Sequence, residues 1–266
     1  MNAQSTRNWG ILAAAFSAIF LGLTPIFGKQ SINAGFTPLA TVALRTLIAC
    51  FLFFVILVIF KRQLFYIYPL GLAGCLAAGL INGIGSIFYY SALSRLDAGI
   101  GQLLYSFYPL FMVFWLILDR QSVSHVTGFR LLLALPGVFL LIHNAGQPVD
   151  LTGAALMLGS AILYSLHLLV NQRVLYEVPA PTVTFYTLLS MSVTVVLAWV
   201  LIDSELPPAG VSWSPLLFLA LFTFLSRFTL FLGVKHLGGL QTSLLGIGEL
   251  LVTVTLAQLF LGERLS

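Results

Sequence analysis

Glu249 is the only acidic residue deep inside an apolar run of this chain, in the stretch Gly238–Ser266, GGLQTSLLGIGELLVTVTLAQLFLGERLS. An ionised carboxylate at the centre of a bilayer costs roughly 2.5–3.5 kcal/mol on insertion scales, so such a group faces a partner or a water-filled cavity. Two chemistries fit it: a carrier that takes up and releases a proton, or a structural partner of Arg227, the cation in the middle of the preceding apolar run. Lys29 and Arg45 stand near the outer ends of their runs. There they either snorkel and cap helix ends or touch a ligand. Asn82 and His167 are polar groups in apolar surroundings, explained by a hydrogen bond between helices or by a ligand. Gln102, Tyr105 and Tyr108 recur at spacings of three, share a helix face and border a cavity on this reading. His125, His143 and His236 fall in connections and carry no chemistry. An intramembrane enzyme would need His-Glu-x-x-His or paired acids, and no such constellation, P-loop or metal-ligand cluster is present. No catalytic residue, metal or cofactor is therefore assigned. A passive pore or scaffold stays as the third reading, and it would have no use for Glu249.

The elements that position these residues follow from composition. The chain has 266 residues, 59% of them hydrophobic and 8% charged. Soluble domains carry about 25% charged residues, so this surface is not built for water. Apolar runs of about 20 residues recur along the chain, the pattern of transmembrane helices. They are apolar on every face, unlike the alternating strands of a barrel. The net charge of +4 is read as a topology signal and not as a nucleic-acid footprint. Cys50 and Cys75 both fall inside apolar runs and suggest no disulfide framework.

The expected fold is an all-α polytopic membrane protein with nine helices. They span about Trp9–Ile32, Leu39–Phe60, Pro69–Leu93, Ala98–Leu118, Phe129–Ile142, Leu151–Arg173, Pro181–Ile202, Pro215–Val234 and Leu240–Leu261. Thr24-Pro25 predicts a kink in the first helix, and Gly79-xxx-Gly83 a close helix contact in the third. Alternate connections hold Arg7, Lys61, Arg62, Arg120, Arg130, Arg173 and Lys235 on one side against Arg95 and Arg264 on the other. The basic side is read as cytoplasmic. That places the amino terminus inside a multi-pass protein of the cell's inner (plasma) membrane, with the lipid bilayer as its permanent partner.

The chain repeats itself. Sliding Gly10 onto Gly153 sets Ser17-Ala18-Ile19 on Ser160-Ala161-Ile162, Pro38 on Pro181 and Thr41 on Thr184. Leu96–Leu104 likewise parallels Leu237–Leu245, with Tyr108-Pro109 against Glu249-Leu250. Two units are expected, 1–145 with five helices and 146–266 with four. An odd number of helices per unit inverts the second copy and places a site at the interface near mid-membrane. Helices 1, 3, 4, 6, 8 and 9 should line it, with Gly83 and Gly248 at its border.

These residues resemble the EamA-type transporters of the drug/metabolite transporter superfamily. Leu21-Gly22 with Ile26-Phe27-Gly28-Lys29 stands where that family has Trp-Gly…Lys, Leu21 replacing Trp. Ala43-Leu44-Arg45 matches its helix 2 arginine, and Glu249 and Gly262-Glu263-Arg264 match its Glu-Pro and Gly-Glu-Arg motifs, with Leu250 in place of Pro. The resemblance implies ten helices in two inverted five-helix repeats, the last missing here through truncation or a nine-helix form. It also implies secondary transport of small organic metabolites, in the direction of efflux, with protons as the candidate coupling ion.

Overall fold

Backbone polar groups in hydrocarbon must be satisfied within their own segment, and the apolar runs of this chain accordingly fold as helices. The computed structural model describes residues 3–121, 150–205, 207 and 209–262, the first four by backbone alone. In chain order the helices are α1 (Ala3–Asn33), α2 (Pro38–Phe60), α3 (Pro69–Leu93), α4 (Ala98–Tyr105), α5 (Tyr108–Leu118), α6 (Leu151–Val174), α7 (Ala180–Ile202), α8 (Ser214–Leu237), α9 (Gly239–Gly246) and α10 (Gly248–Phe260). A single 3₁₀ turn, Arg62–Phe65, follows α2. Eight spans among the described residues are long and apolar enough to cross a membrane, α4 with α5 and α9 with α10 each counting as one. The expected fifth helix at Phe129–Ile142 and the closing Glu263-Arg264-Leu265-Ser266 lie outside the described residues.

Local chemistry explains the boundaries. α2, α3, α5, α7 and α8 each carry proline in the first turn, where the missing N–H has no intrahelical partner anyway. Thr37 caps α2 by accepting the Ala40 N–H at 3.1 Å. Asp150 caps α6 through the amides of Thr152 and Gly153 at 2.8 and 3.3 Å. Those amides, with Arg95 at 3.3 Å, hold the Asp150 carboxyl below its ordinary range. At the opposite end of the spans, Arg173 and Gln121 do the same for Asp119.

Pro25 does not interrupt α1, which runs unbroken through the position where a kink is expected. Pro25 has no N–H for the Leu21 carbonyl, and the Thr24 hydroxyl donates to that carbonyl at 2.7 Å instead. The breaks lie elsewhere. Two spans read from sequence as single helices are each split, at Ser106-Phe107 and at Ile247. Pro109 opens the first split by removing a donor to the preceding turn. At both splits the backbone falls back on i→i+3 bonds, Leu110 to Phe107 and Leu250 to Ile247, at 2.9 and 3.1 Å.

The most extensive helix contacts all join a helix before residue 122 to one after residue 149: α1 with α8, α3 with α6 and α7, α2 with α7, and α1 with α10. Small residues set these approaches. A Cβ at Gly79 would come 2.5 Å from the Thr187 carbonyl, and one at Gly83 would come 2.8 Å from Thr194 Cβ. Gly22 lets α1 lie against the backbone of Glu249 and the side chain of Val252 in α10. Large apolar side chains such as Phe51, Phe60, Leu201 and Leu259 face outward, the arrangement expected when the surrounding medium is lipid. Gly83 therefore serves the α3–α7 contact.

Gly79→Ala is expected to destabilise the folded protein by about 1–3 kcal/mol, the usual penalty of overpacking. Gly248→Ala, whose Cβ would meet only Ala18 at 3.8 Å, should be tolerated. Thermal unfolding of both variants in detergent checks this; equal midpoints would mean that the α3–α7 contact has room to spare.

Candidate functional site

The two split spans pack against one another. Ile247 ends α9, and Glu249 falls in the first turn of α10, where the helix dipole favours negative charge. Tyr108 opens α5 at the other split. Its hydroxyl donates to Glu249 Oε1 at 3.0 Å and also reaches the Ser243 carbonyl at 3.2 Å. Gly246 makes this reach feasible, because a Cβ there would overlap the Tyr108 hydroxyl oxygen. From α4, Gln102 Nε2 donates to Glu249 Oε2 at 3.2 Å, while its Oε1 accepts from Tyr89 at 3.2 Å. Both carboxylate oxygens are thus held by neutral donors.

Around this group lies a small polar cavity, with about 40 Å³ open to the centres of water-sized molecules, room for a few waters. Its walls come from α1, α2, α3, α4, α6, α8 and α10. Of the residues singled out in the sequence, Glu249, Arg227, Arg45, Asn82, Gln102 and Tyr105 line it. Asn82 places its amide 3.1 Å from the Met191 sulfur, a weak acceptor. Tyr105 packs edge-on against Tyr89 and tilted against Tyr108 and Tyr164, with ring centroids 5.0–5.5 Å apart.

Arg45 donates through Nη1 to Thr223 Oγ1 at 2.9 Å, and its guanidinium carbon sits 4.6 Å from the centroid of Tyr90. Arg227 lies 5.7 Å from the centroid of Tyr164. Neither arginine forms an ion pair among the described residues, so the sequence-level option of a fixed Glu249–Arg227 pair is not the arrangement here.

Two further candidates stand away from the cavity. Lys29 donates to the carbonyls of Leu93 and Leu96 at 2.9 and 2.8 Å, closing the carboxyl end of α3. His167 is fully buried, with Nδ1 3.0 Å from the Ala78 carbonyl. The same nitrogen lies 3.0 Å from the Asn171 side-chain amide. Asn171 in turn bonds the His167 carbonyl and Thr187, tying α6 to α3 and α7. Tyr164 and Ser226 line the cavity although sequence reasoning passed over both. Ser160, Tyr164 and His167 at i, i+4 and i+7 on α6 are the signal that one polar face turns inward.

The chain matches the family model of the EamA-like transporters over residues 8–143 and over residues 151–266. A curated relative, an "Uncharacterized transporter" of Synechocystis sp., is 26% identical over 201 residues, which is 73% of this chain and 60% of the relative. This chain thus spans less than two thirds of that relative's length. A solved structure described as "Crystal structure of protein" is similar with a TM-score of 0.73, covering 99% of this chain and 90% of its own, at 20% identity. That likeness is one of fold.

Gly246→Ala should destabilise the protein, although Gly→Ala inside a helix ordinarily stabilises it by about 0.5–1 kcal/mol. Removing the hydroxyl with Tyr108→Phe should relieve much of the penalty. A double-mutant cycle read by thermal unfolding is expected to give a coupling above about 0.5 kcal/mol; additive effects would place Tyr108 elsewhere than against Gly246.

Proposed function

Because this chain belongs to the EamA-like transporter family, we propose that it is a secondary transporter that exports small organic metabolites across the cell's inner membrane by alternating access, with Glu249 as its proton carrier. The family match and the eight apolar spans support the reading of a multi-pass membrane transporter; direction, substrate, mechanism and coupling extend it. The observation that carries it is Glu249 itself: a buried carboxyl at the junction of two broken spans, bonded to Tyr108 and Gln102 and facing a polar cavity. Broken helices around a mid-membrane site are the recurrent construction of secondary transporters. Neutral partners let the carboxyl lose or gain a proton without breaking an ion pair. A protonated Glu249 can turn donor toward Gln102 Oε1, so the same partners serve both states.

Two inverted repeats, 1–145 and 146–266, are part of this reading. It is supported by the ordered landmarks, by a family match in two segments, and by a split in each unit. With the basic connections inside, the amino terminus is cytoplasmic. Alternating access then moves one set of helices against the other around the fixed cavity.

Proteoliposomes loaded with a pH-sensitive dye and exposed to panels of amino acids, carboxylates and amines test the transport reading. Wild-type protein should move protons when its substrate is present. Glu249→Gln keeps shape and hydrogen-bonding capacity but not titration, so it should retain substrate exchange and lose accumulation driven by a proton gradient. Wild-type accumulation by Glu249→Gln would end the coupling hypothesis.

Topology has its own test. In a background without Cys50 and Cys75, a cysteine at Ser204 should be labelled from outside the cell and one at Gln63 only after the cytoplasmic face is opened. The reverse pattern would invert the proposed orientation.

A further inference from the structure

Resting on the transporter reading, we infer that the cavity takes a small organic oxyanion, a carboxylate or a phosphate ester, whose charged head sits between Arg45 and Arg227. Each arginine is only 5% exposed, so each is a cation withdrawn from solvent. Arg45 Nε and both Nε and Nη1 of Arg227 have no hydrogen-bond partner among the described residues, and both side chains stand in the wall of the same cavity. They are near enough to one another to interact electrostatically. Glu249, the only acidic residue among those lining the cavity, already spends one oxygen on Tyr108 and the other on Gln102.

With two guanidinium groups against the single carboxyl of Glu249, which lies within electrostatic reach of Arg227, the cavity is short of negative charge and rich in N–H donors. A buried cation without a counter-ion is unfavourable, and so is a buried donor without an acceptor. The tyrosine faces against the two guanidinium groups ease the first problem, since aromatic faces attract cations, but they accept no strong hydrogen bond. Water would satisfy donors without supplying charge. An uncharged solute leaves the charge imbalance as it is, and an ammonium adds a third cation. An oxyanion remedies both at once, because the guanidinium fork matches carboxylate and phosphate oxygens two at a time. Tyr89, Tyr105 and Tyr164, which also line the cavity, are then the aromatic neighbours of the ligand's body.

The full chain, purified in an uncharged detergent, is followed by thermal unfolding at constant ionic strength. Butyrate, butyl phosphate, butyramide and butylammonium are the probes, alike in chain length and different in charge. One or both anions should raise the melting temperature, with a shift that grows logarithmically above the dissociation constant; the larger shift identifies carboxylate or phosphate as the preferred head. Butyramide and butylammonium should leave it unchanged. Arg45→Gln and Arg227→Gln should each abolish the anion shift, while Arg227→Lys, which keeps charge but loses the fork, should retain part of it. Equal stabilisation by the amide or the ammonium, no effect of either anion, or an anion shift that survives both Gln substitutions would overturn the inference. If a Gln variant fails to fold, the four wild-type measurements still decide it. Anion stabilisation without any flux in proteoliposomes would sink the transporter reading and leave the anion site standing. Flux of butylammonium or butyramide with no anion stabilisation would do the opposite.

Discussion

Hydrocarbon offers no hydrogen bond, so every polar group that enters a bilayer must find its partner inside the protein. Many side chains of this fold follow that constraint. Hydroxyls along the spans bond back to carbonyls four residues earlier, as Ser31 does to Phe27, Thr184 to Ala180 and Thr229 to Leu225. Thr24 fills the gap that Pro25 leaves. Where bonds cross between helices they tie distant parts of the chain, as Thr253 does to the Gly22 carbonyl and Ser190 to the Leu76 carbonyl. Among the described residues a few buried groups lack such a partner, and three of them, Arg45, Arg227 and Tyr164, line the same cavity, where the fold holds polarity in reserve.

The same constraint explains why the helices break where they do. Irregular backbone at membrane depth is tolerated only when protein or a wet cavity surrounds it. Both splits meet this condition, since Tyr108 from one reaches Glu249 and Ser243 beside the other. The contact is close because Gly246 has no side chain. Two weak points of backbone thus brace one another, and the carboxyl sits at their junction. A cavity of about 40 Å³ is far below the roughly 300–1,000 Å³ of a drug-sized ligand site. Any organic substrate therefore requires the helices around it to move apart, a motion for which split spans are suited.

Not every buried polar residue belongs to that site. His167 and Lys29 look as promising in sequence as Asn82 or Arg45. Yet His167 is spent on the Ala78 carbonyl, and Lys29 on two carbonyls at the end of α3. What separates the groups is where each side chain ends up pointing, a property of helix rotation and not of residue type.

Composition and periodicity by themselves determined that the chain is helical and spans a membrane, because 8% charged residues cannot clothe a water-soluble surface. They placed seven of the eight described spans to within a few residues, since apolar length and proline-led first turns act locally. The eighth, α1, begins six residues earlier than expected, at Ala3 and not Trp9. Glu249 stood out because a lone acid in an apolar run has an energetic cost that needs no structure to see. Tertiary structure alone decided its partners. Tyr108 and Gln102 lie 141 and 147 residues away, and no local pattern encodes a contact at that separation. The splits in two spans were also hidden. Pro109 is visible in the sequence, but a proline inside a span can be carried by a neighbouring hydroxyl, as Pro25 is by Thr24. Whether a helix breaks or continues depends on what packs against it, and that is settled only when all the helices are in place.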